Sequence, residues 1–303
     1  LVDTLADLVD RVQTRRLAPF RRVVIETTGL ADPTPILAML MAHPVLLQHF
    51  ALDGVVTLVD AVAGELSLSE RIEARRQVAC ADRILLTKTD LAADTSALEA
   101  SIRTLNERAP ILRCDASGAG DVFGCGLIDP ATRQADLTRW LGTEGDAKPS
   151  SSLHDHACGH EHGEACGHPS HHGHAGHRHG DVSSFSLVHD APITQGDLEG
   201  FLDLLFMRQG DRLLRMKAVI HLAGDEQCPL VLHGVRTYLH PPARVPGWPE
   251  GEKPRSRLVL IGERLDEELV RDLFAAFVRA PRLDAPDRAA LTDNPLSLGG
   301  WSH

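Results

Sequence analysis

The sequence "ILLTKTDL", residues 84–91, joins a short apolar run to a polar turn. Ile84, Leu85 and Leu86 are consecutive large aliphatic residues, a pattern typical of a strand that is buried on both faces of a parallel sheet. The polar residues 87–90 follow directly, and open parallel sheets bind their ligands at the carboxyl ends of their strands. The stretch therefore predicts a parallel α/β sheet with a polar loop at its binding edge.

The flanking sequence alternates between apolar runs and helical patterns. The strands are expected at residues 23–25, 55–59 and, more weakly, 111–112, and the helices around residues 35–47, 69–79 and 95–108. Strands that alternate with helices in this way form a parallel sheet through right-handed crossovers, with helices on both faces.

The sequence beyond residue 145 changes character twice. Residues 146–181 are rich in Gly, Ser and His, which predicts a linker rather than a packed core. Beyond it, strands are expected at residues 183–189, 212–222, 230–239 and 257–261, and helices at 194–207 and 266–278. Short turns between the strands predict an α+β domain with a largely antiparallel sheet. We therefore expect domains at residues 1–145 and 182–303, separated by the linker 146–181.

The composition narrows the class of protein. A chain of 303 residues is long enough for two domains, and its 43% hydrophobic content supports packed cores. A formal net charge of −11 argues against a nucleic-acid partner, which requires clustered Lys and Arg. No apolar run is long enough to span a bilayer, so we expect no membrane partner. The six cysteines show no disulfide framework, which indicates a reducing compartment and predicts a cytoplasmic location.

A second polar loop is expected within "VVIETTGLADP", residues 23–33. If residues 23–25 form a strand, Glu26 lies at its carboxyl end, where a carboxylate can hold a hydrated Mg²⁺ ion. Gly29 would allow a backbone N–H group to approach a terminal phosphate closely. An ordinary turn between a strand and a helix is an equally good interpretation of this loop taken alone.

Residues 87–90 have the form T-K-x-D, which is typical of guanine recognition. The aliphatic stem of Lys88 would lie along the purine ring. The Asp90 carboxylate would accept hydrogen bonds from the N1–H and amino groups of guanine, which adenine cannot offer. A lone T-K-x-D is more often a plain polar turn. Here the T-K-x-D motif lies one strand–helix unit beyond the loop that contains Glu26. The two loops together indicate that the protein binds a guanine nucleotide.

A His-rich stretch, residues 154–180, contains ten of the seventeen histidines and two cysteines. Neutral imidazole and thiolate suit Zn²⁺, Co²⁺ and Ni²⁺, and spacings of one or two residues allow neighbouring side chains to reach one ion. The stretch predicts a collector of several metal ions, and a solvated polar spacer is the alternative. The candidate ligands are Cys158, His160, His162, Cys166, His168, His171, His172, His174, His177 and His179.

Taken together, these motifs resemble the CobW-type metallochaperone GTPases over nearly the whole chain. The matching motifs are "ETTGLADP" (26–33), "DGVVTLVDA" (53–61), "QVACADRILLTKTDL" (77–91), "RLLRMKAVIHL" (212–222), "LHGV" (232–235) and "SRLVLIGERLD" (256–266). The resemblance implies a P-loop G domain, of which this chain carries part, followed by a CobW C-terminal domain.

The resemblance also implies roles for the polar residues. Glu26 would be the Walker-B-like acid near Mg²⁺, and Gly29 would contact the γ-phosphate of GTP. Thr87, Lys88 and Asp90 would read guanine, with Thr87 at the position where most G proteins have Asn. That difference would weaken the bracing of the loop but leave the pairing of Asp90 with guanine intact.

Two motifs of the family are absent from the 303 residues. No G-x-x-x-x-G-K-[ST] motif occurs, although the phosphates need its N–H groups and Lys, and no C-x-C-C metal motif occurs. The glycine-rich residues 118–126 lack the Lys-Ser/Thr pair and are interpreted as a loop. We expect both motifs to be encoded upstream of Leu1. By itself the chain is then expected neither to bind GTP tightly nor to hydrolyse it.

The leading hypothesis is a GTP-dependent metallochaperone. GTP binding would favour a metal-loaded state that docks on a client metalloprotein of unknown identity, and hydrolysis would release the ion. Zinc is the first choice of metal, and cobalt for cobalamin synthesis is the second. The alternative is a passive metal buffer on a G-domain scaffold that does not hydrolyse GTP.

The His-rich stretch provides a direct test. We expect residues 154–180 to bind more than one Zn²⁺ or Co²⁺ per chain, with an affinity that falls as the pH drops through about 6.5, because protons then compete for the imidazoles. Titration calorimetry of the chain with and without this stretch measures the effect. The deletion should leave the unfolding temperature of the metal-free protein nearly unchanged. A stoichiometry of one or less would contradict the collector interpretation.

Overall fold

The computed structural model of the chain describes residues 1–114, 122–127, 136–141, 182–249 and 251–278. The chain divides into two compact units. The first contains Leu1–Ser184 and Ile261–Arg264, and the second contains Phe185–Leu260 and Leu265–His303. The predicted linker lies outside the described residues, and its boundaries stay a prediction.

The first unit alternates helices with parallel strands. Its helices are α1 (Val2–Gln13), α2 (Pro33–Ala42), α3 (Pro44–His49), α4 (Gly64–Glu70), α5 (Ile72–Cys80), α6 (Ser96–Leu105) and α7 (Leu137–Leu141), and its strands are β1 (Val56–Asp60), β2 (Arg83–Thr87) and β3 (Ile111–Arg113). The strands lie in the order β1-β2-β3, and both pairs are parallel. The predicted parallel sheet is therefore confirmed.

Strand β2 lies between β1 and β3, and its side chains are buried on both faces of the sheet. Ile84 and Leu86, which point to one face, are fully buried, and Leu85, which points to the other, is 9% exposed. This burial is expected for a continuous aliphatic run in a parallel strand. Helix α6 buries Leu98, Ile102 and Leu105, which are spaced by four and three residues and so share one face of the helix. The burial of β2 positions the polar residues that follow it.

The strand predicted at residues 23–25 is not formed. This segment has no regular secondary structure, and the side chain of Val24 is 68% exposed. The prediction was wrong because a short apolar run becomes a strand only when a neighbour supplies backbone hydrogen bonds, and within the described residues the parallel sheet contains β1, β2 and β3 alone. Glu26 therefore does not lie at the end of a strand.

The helix predicted at residues 35–47 is interrupted. His43 has φ −88° and ψ 116°, an extended conformation that separates α2 from α3. The cause is Pro44, whose ring disfavours the helical conformation of the residue before it and which lacks an N–H donor. The pattern predicted at residues 69–79 likewise divides into α4 and α5, with Arg71 extended between them.

The strands after residue 181 form a second sheet, which is packed against two helices. They are β4 (Val182–His189), β5 (Leu213–Ile220), β6 (Leu230–Val235), β7 (Tyr238–Leu239), β8 (Ala243–Arg244) and β9 (Ser256–Glu263), and the helices are α8 (Gln195–Gln209) and α9 (Glu267–Val278). The order is β4-β9-β5-β6-β7, and β6 pairs antiparallel with β5, β7 and β8. The predicted α+β architecture is confirmed.

The core of the second unit lies between this sheet and its helices. Phe201 of α8 and Phe274 of α9 meet edge to face, with ring centroids 5.1 Å apart. Leu213, Met216 and Ala218 of β5 are fully buried in the same cluster. Helix α8 begins at a side-chain cap, in which the Thr194 hydroxyl accepts a hydrogen bond from the N–H of Asp197.

A buried amide fixes the end of α5 in the first unit. Asn106 is 4% exposed, and its Nδ2 donates to the carbonyls of Val78 and Ala81, both at 2.9 Å. Its Oδ1 accepts from the N–H of Ala109 at 2.9 Å. The side chain thus supplies donors to carbonyls at the C-terminal end of α5, where the helix itself has few N–H groups to offer. This bond network holds the chain immediately before β2.

Replacing Asn106 should therefore destabilise the first unit. Asn106→Ala removes these buried hydrogen bonds, and we expect a loss of about 3 kcal/mol in the free energy of unfolding. Urea denaturation of the wild type and the variant measures it. Thr104→Ala, an exposed change on α6, is the matched control and should stay within about 0.5 kcal/mol of the wild type. Similar stabilities for the two variants would show that the buried amide is dispensable.

Candidate functional site

The polar residues after β2 form a tight turn, here called the TKTD loop (residues 87–90). Lys88 has φ 57°, in the left-handed region that non-glycine residues seldom adopt. The N–H of Leu91 donates to the carbonyl of Lys88 at 3.0 Å and closes the turn. Asp90 lies on the exposed side of this turn. The loop therefore presents a carboxylate to solvent at the carboxyl end of the central strand, as the sequence predicts.

An ion pair joins the TKTD loop to the neighbouring strand. The Nζ of Lys88 lies 2.5 Å from Oδ2 of Asp60, the last residue of β1. Asp60 is the register partner of Thr87, and the N–H of Ala61 donates to the carbonyl of Thr87 at 2.9 Å. The carboxyl ends of two parallel strands are thus linked by both main-chain and side-chain contacts.

Asp60 also organises the turn that follows β1. Its Oδ1 accepts from the N–H groups of Val62 at 2.8 Å and Ala63 at 3.1 Å. The hydrogen bond from Lys88, followed by the one from Val62, holds the pKa of the Asp60 carboxyl below its ordinary value. The ionised carboxylate is therefore the form that this edge of the sheet stabilises. Asp60 was not among the predicted site residues, although it lies at the carboxyl end of a strand, as Thr87 does.

Glu26 and Gly29, which are predicted to bind Mg²⁺ and the γ-phosphate, lie in a second loop. We call it the ETTG loop (residues 26–32). The N–H of Ala31 donates to the carbonyl of Thr28 at 3.0 Å, which forms a turn with Gly29 and Leu30 at its centre. Glu26 and Gly29 are both exposed. A Cβ atom built at Gly29 would have no atom within 4 Å, and its φ is not in the left-handed region. Internal packing and backbone strain therefore do not require glycine at this position.

Helix α5 holds the ETTG loop from one side. Nε2 of Gln77 donates to the carbonyls of Gly29 at 3.1 Å and Ala31 at 2.8 Å. The guanidinium of the preceding residue, Arg76, lies 2.8 Å from Oδ2 of Asp32, and Asp32 in turn caps α2. No sequence pattern marks these two side chains of α5, because only the folded chain brings residues 44 or more positions apart into contact.

Arg76 also forms a two-pronged ion pair with Glu263, a residue of the same compact unit. The distances are 2.5 Å from Nε and 2.8 Å from Nη2 to the two carboxylate oxygens. Hydrogen bonding to Glu263, ahead of the attraction of Asp32, raises the pKa of the Arg76 guanidinium above its ordinary value. The guanidinium between two carboxylates therefore stays charged and links Asp32 of the ETTG loop to Glu263.

The predicted metal ligands are not among the residues that the structure describes. All ten candidate residues between 158 and 179 lie outside the described residues, so their role stays a prediction. Within the part of the chain that is described, no group of three or more His, Cys, Asp or Glu residues could hold a metal ion. The helices described also include none that is long and apolar enough to cross a membrane.

Comparison with known families assigns both halves of the chain. Residues 1–113 match the nucleotide-binding domain described as CobW/HypB/UreG. Residues 182–278 match the C-terminal domain of the cobalamin synthesis protein cobW.

Individual relatives agree with this assignment. The chain is 32% identical to the zinc chaperone YjiA of Escherichia coli, over 91% of this chain and 76% of the relative. It is 29% identical to the zinc chaperone CobW of a Sinorhizobium species, over 84% of this chain and 71% of that protein. Among solved structures, the Zn(II)-bound YjiA GTPase of E. coli superposes with a TM-score of 0.66 at 30% identity, covering 91% of this chain and 77% of that structure.

The Asp60–Lys88 pair should give the protein a specific acid sensitivity. Because the pKa of Asp60 is lowered in the folded chain, its charge stabilises the fold above the ordinary carboxyl pKa, and this contribution is lost as the pH falls through the lowered value. Asp60→Asn removes it. We expect the variant to unfold at a lower temperature than the wild type at pH 7, and the difference to shrink below about pH 4. Calorimetric scans from pH 2 to 7 measure this.

The control for this measurement is Asp10→Asn, which neutralises an exposed carboxylate on α1. Its unfolding temperature should follow that of the wild type at every pH. A difference between Asp60→Asn and the wild type that stays constant across the range would contradict the stabilising role of the ionised pair.

Proposed function

The chain belongs to the CobW family of nucleotide-binding metallochaperone GTPases, and from this premise we propose that it is a GTP-dependent chaperone that delivers zinc to a client protein. In this proposal, GTP hydrolysis drives the release of the ion. The observation that carries the proposal is the TKTD loop, fixed at the end of the central strand by the ion pair with Asp60. We further propose that the protein acts in the cytoplasm.

The geometry of the TKTD loop supports guanine recognition. The contact with Asp60 directs the charged end of Lys88 towards β1, which leaves the aliphatic stem of that side chain as an apolar surface for a purine ring. The carboxylate of Asp90 is exposed and makes no hydrogen bond to the described part of the chain. Both of its oxygens can accept from the N1–H and amino groups of a guanine base. Thr87 donates to the carbonyl of Val59 at 3.4 Å, a long contact that agrees with weak bracing of the loop.

The ETTG loop supports the binding of the phosphates and Mg²⁺. Gly29 is exposed and has no side chain, so a ligand can approach its backbone closely. Glu26 is exposed in the same loop and would hold a hydrated Mg²⁺ ion near the γ-phosphate. Its carboxylate would help to keep the metal and the phosphate in place during hydrolysis.

The metal would be bound by the His-rich stretch and handed on to the client. Imidazole and thiolate ligands suit zinc, and the two relatives named above are zinc chaperones. Cobalt delivery for cobalamin synthesis is the second candidate, favoured by the family description of the C-terminal domain. A passive metal buffer is the third, because the 303 residues contain no G-x-x-x-x-G-K-[ST] motif. A P-loop encoded in frame upstream of Leu1 would exclude the buffer.

Asp90→Asn tests the assignment of the base-reading loop in the protein expressed from its complete coding sequence. An amide cannot accept both guanine hydrogens, so the affinity for GTP should fall by about 1.5–3 kcal/mol. The new amide can donate to the C2 carbonyl of xanthine, so the affinity for XTP should rise. Fluorescence titration of the wild type and the variant with GTP and with XTP measures both affinities.

Thr89→Ala is the matched control, because this residue occupies the variable position of T-K-x-D. It should bind GTP and XTP as the wild type does. If Asp90→Asn bound GTP with unchanged affinity, residues 87–90 would not be the base-reading loop.

A further inference from the structure

Two side chains of α5, those of Arg76 and Gln77, make three hydrogen bonds to the ETTG loop. Gln77 donates to the carbonyls of Gly29 and Ala31, and Arg76 donates to the carboxylate of Asp32. Asp32 uses its other oxygen, Oδ1, to accept from the N–H of Thr34 at 2.8 Å and so caps α2. Every contact thus falls on the segment that contains the proposed phosphate-binding glycine or on the residues just after it.

These contacts determine which way the peptide groups of the loop face. In a trans peptide the carbonyl of one residue and the N–H of the next point in opposite directions. Because the Gly29 carbonyl points towards Gln77, the N–H of Leu30 points away from α5. Leu30 is 57% exposed, so this side of the turn faces solvent. By the same geometry the bond from Gln77 to the Ala31 carbonyl turns the N–H of Asp32 away from α5. Backbone N–H groups that are turned outward in this way can donate to an anion.

Gln77 is itself held firmly. Its backbone carbonyl accepts a hydrogen bond from the Thr57 hydroxyl of β1 at 2.8 Å. The next three residues of α5, which are Val78, Ala79 and Cys80, are at most 1% exposed. A side chain on a rigid helix can impose an orientation on a loop, whereas a side chain on a mobile segment cannot.

We propose that Gln77, assisted by Arg76, is a positioning residue that orients the turn at Gly29 for the γ-phosphate of GTP. This inference rests on the proposed GTPase function and adds a residue to it. Gln77 acts through the loop and does not touch the nucleotide. The TKTD loop has its own anchor in Asp60. Loss of Gln77 should therefore affect the distinction between GTP and GDP but not the recognition of the base.

The test uses two variants in the protein expressed from its complete coding sequence. Gln77→Met keeps the length of the side chain and removes both donors. Gln77→Glu places a carboxylate against the two carbonyls. Glu73→Gln, on the same helix, is the control, since Glu73 makes no hydrogen bond to the ETTG loop among the described residues.

The first readout is hydrogen exchange in the nucleotide-free protein. The N–H of Ala31 is protected by its bond to Thr28, and in Gln77→Met we expect peptides covering residues 27–34 to exchange about ten-fold faster, since two hydrogen bonds that hold the turn are lost. The control should match the wild type. Unchanged exchange would overturn the proposal whether or not the protein is a GTPase.

The second readout is nucleotide affinity. Gln77→Met should bind a non-hydrolysable GTP analogue about ten-fold more weakly, since two neutral hydrogen bonds are lost, and should bind GDP with less than a two-fold change. Gln77→Glu should have the larger effect. Equal weakening of both nucleotides would overturn the assignment to the γ-phosphate. If the wild type bound no guanine nucleotide, the proposed function would fail, while the exchange experiment would still decide whether Gln77 holds the turn.

Discussion

The attachment of α5 to the sheet is the constraint on which both polar loops depend. Asn106 donates to carbonyls at the C-terminal end of this helix, and the Thr57 hydroxyl of β1 donates to the carbonyl of Gln77. Because these groups are buried, leaving them without partners would cost more than the bonds gain. The helix is therefore fixed in one position. From it, Arg76 and Gln77 reach the ETTG loop, and the chain enters β2 directly afterwards.

The two loops are stabilised in different ways, and this difference suits their proposed roles. The TKTD loop is held by an ion pair at the ends of two strands, which orients one lysine and leaves Asp90 exposed. A base-reading carboxylate has to be presented in one geometry, so a rigid anchor is appropriate. The ETTG loop is held mainly through its carbonyls, by donors on α5. Such contacts set the direction of N–H groups, which is what a phosphate-binding turn requires.

Both loops are held by ion pairs, because a partly buried charge needs a partner of opposite charge. Arg76 lies between the carboxylates of Asp32 and Glu263 and is only partly exposed. A half-buried guanidinium needs such partners, because removing it from water without them would be costly. The same reasoning applies to Asp60, whose charge is balanced by Lys88 and by two backbone N–H groups. Each loop thus has a local ion pair, and a change in one need not disturb the other.

The sequence by itself determined the parallel sheet, the antiparallel second domain and the family, because continuous aliphatic runs and spaced polar motifs are local properties of the chain. It also located the TKTD loop at the end of β2. Only the tertiary structure decided that residues 23–25 stay unpaired, since a strand depends on a neighbour. It alone identified Asp60, Arg76, Gln77 and Asn106 as anchors. Each of them bonds to a side chain or a carbonyl of a segment that is distant in sequence, and only folding brings the two into contact.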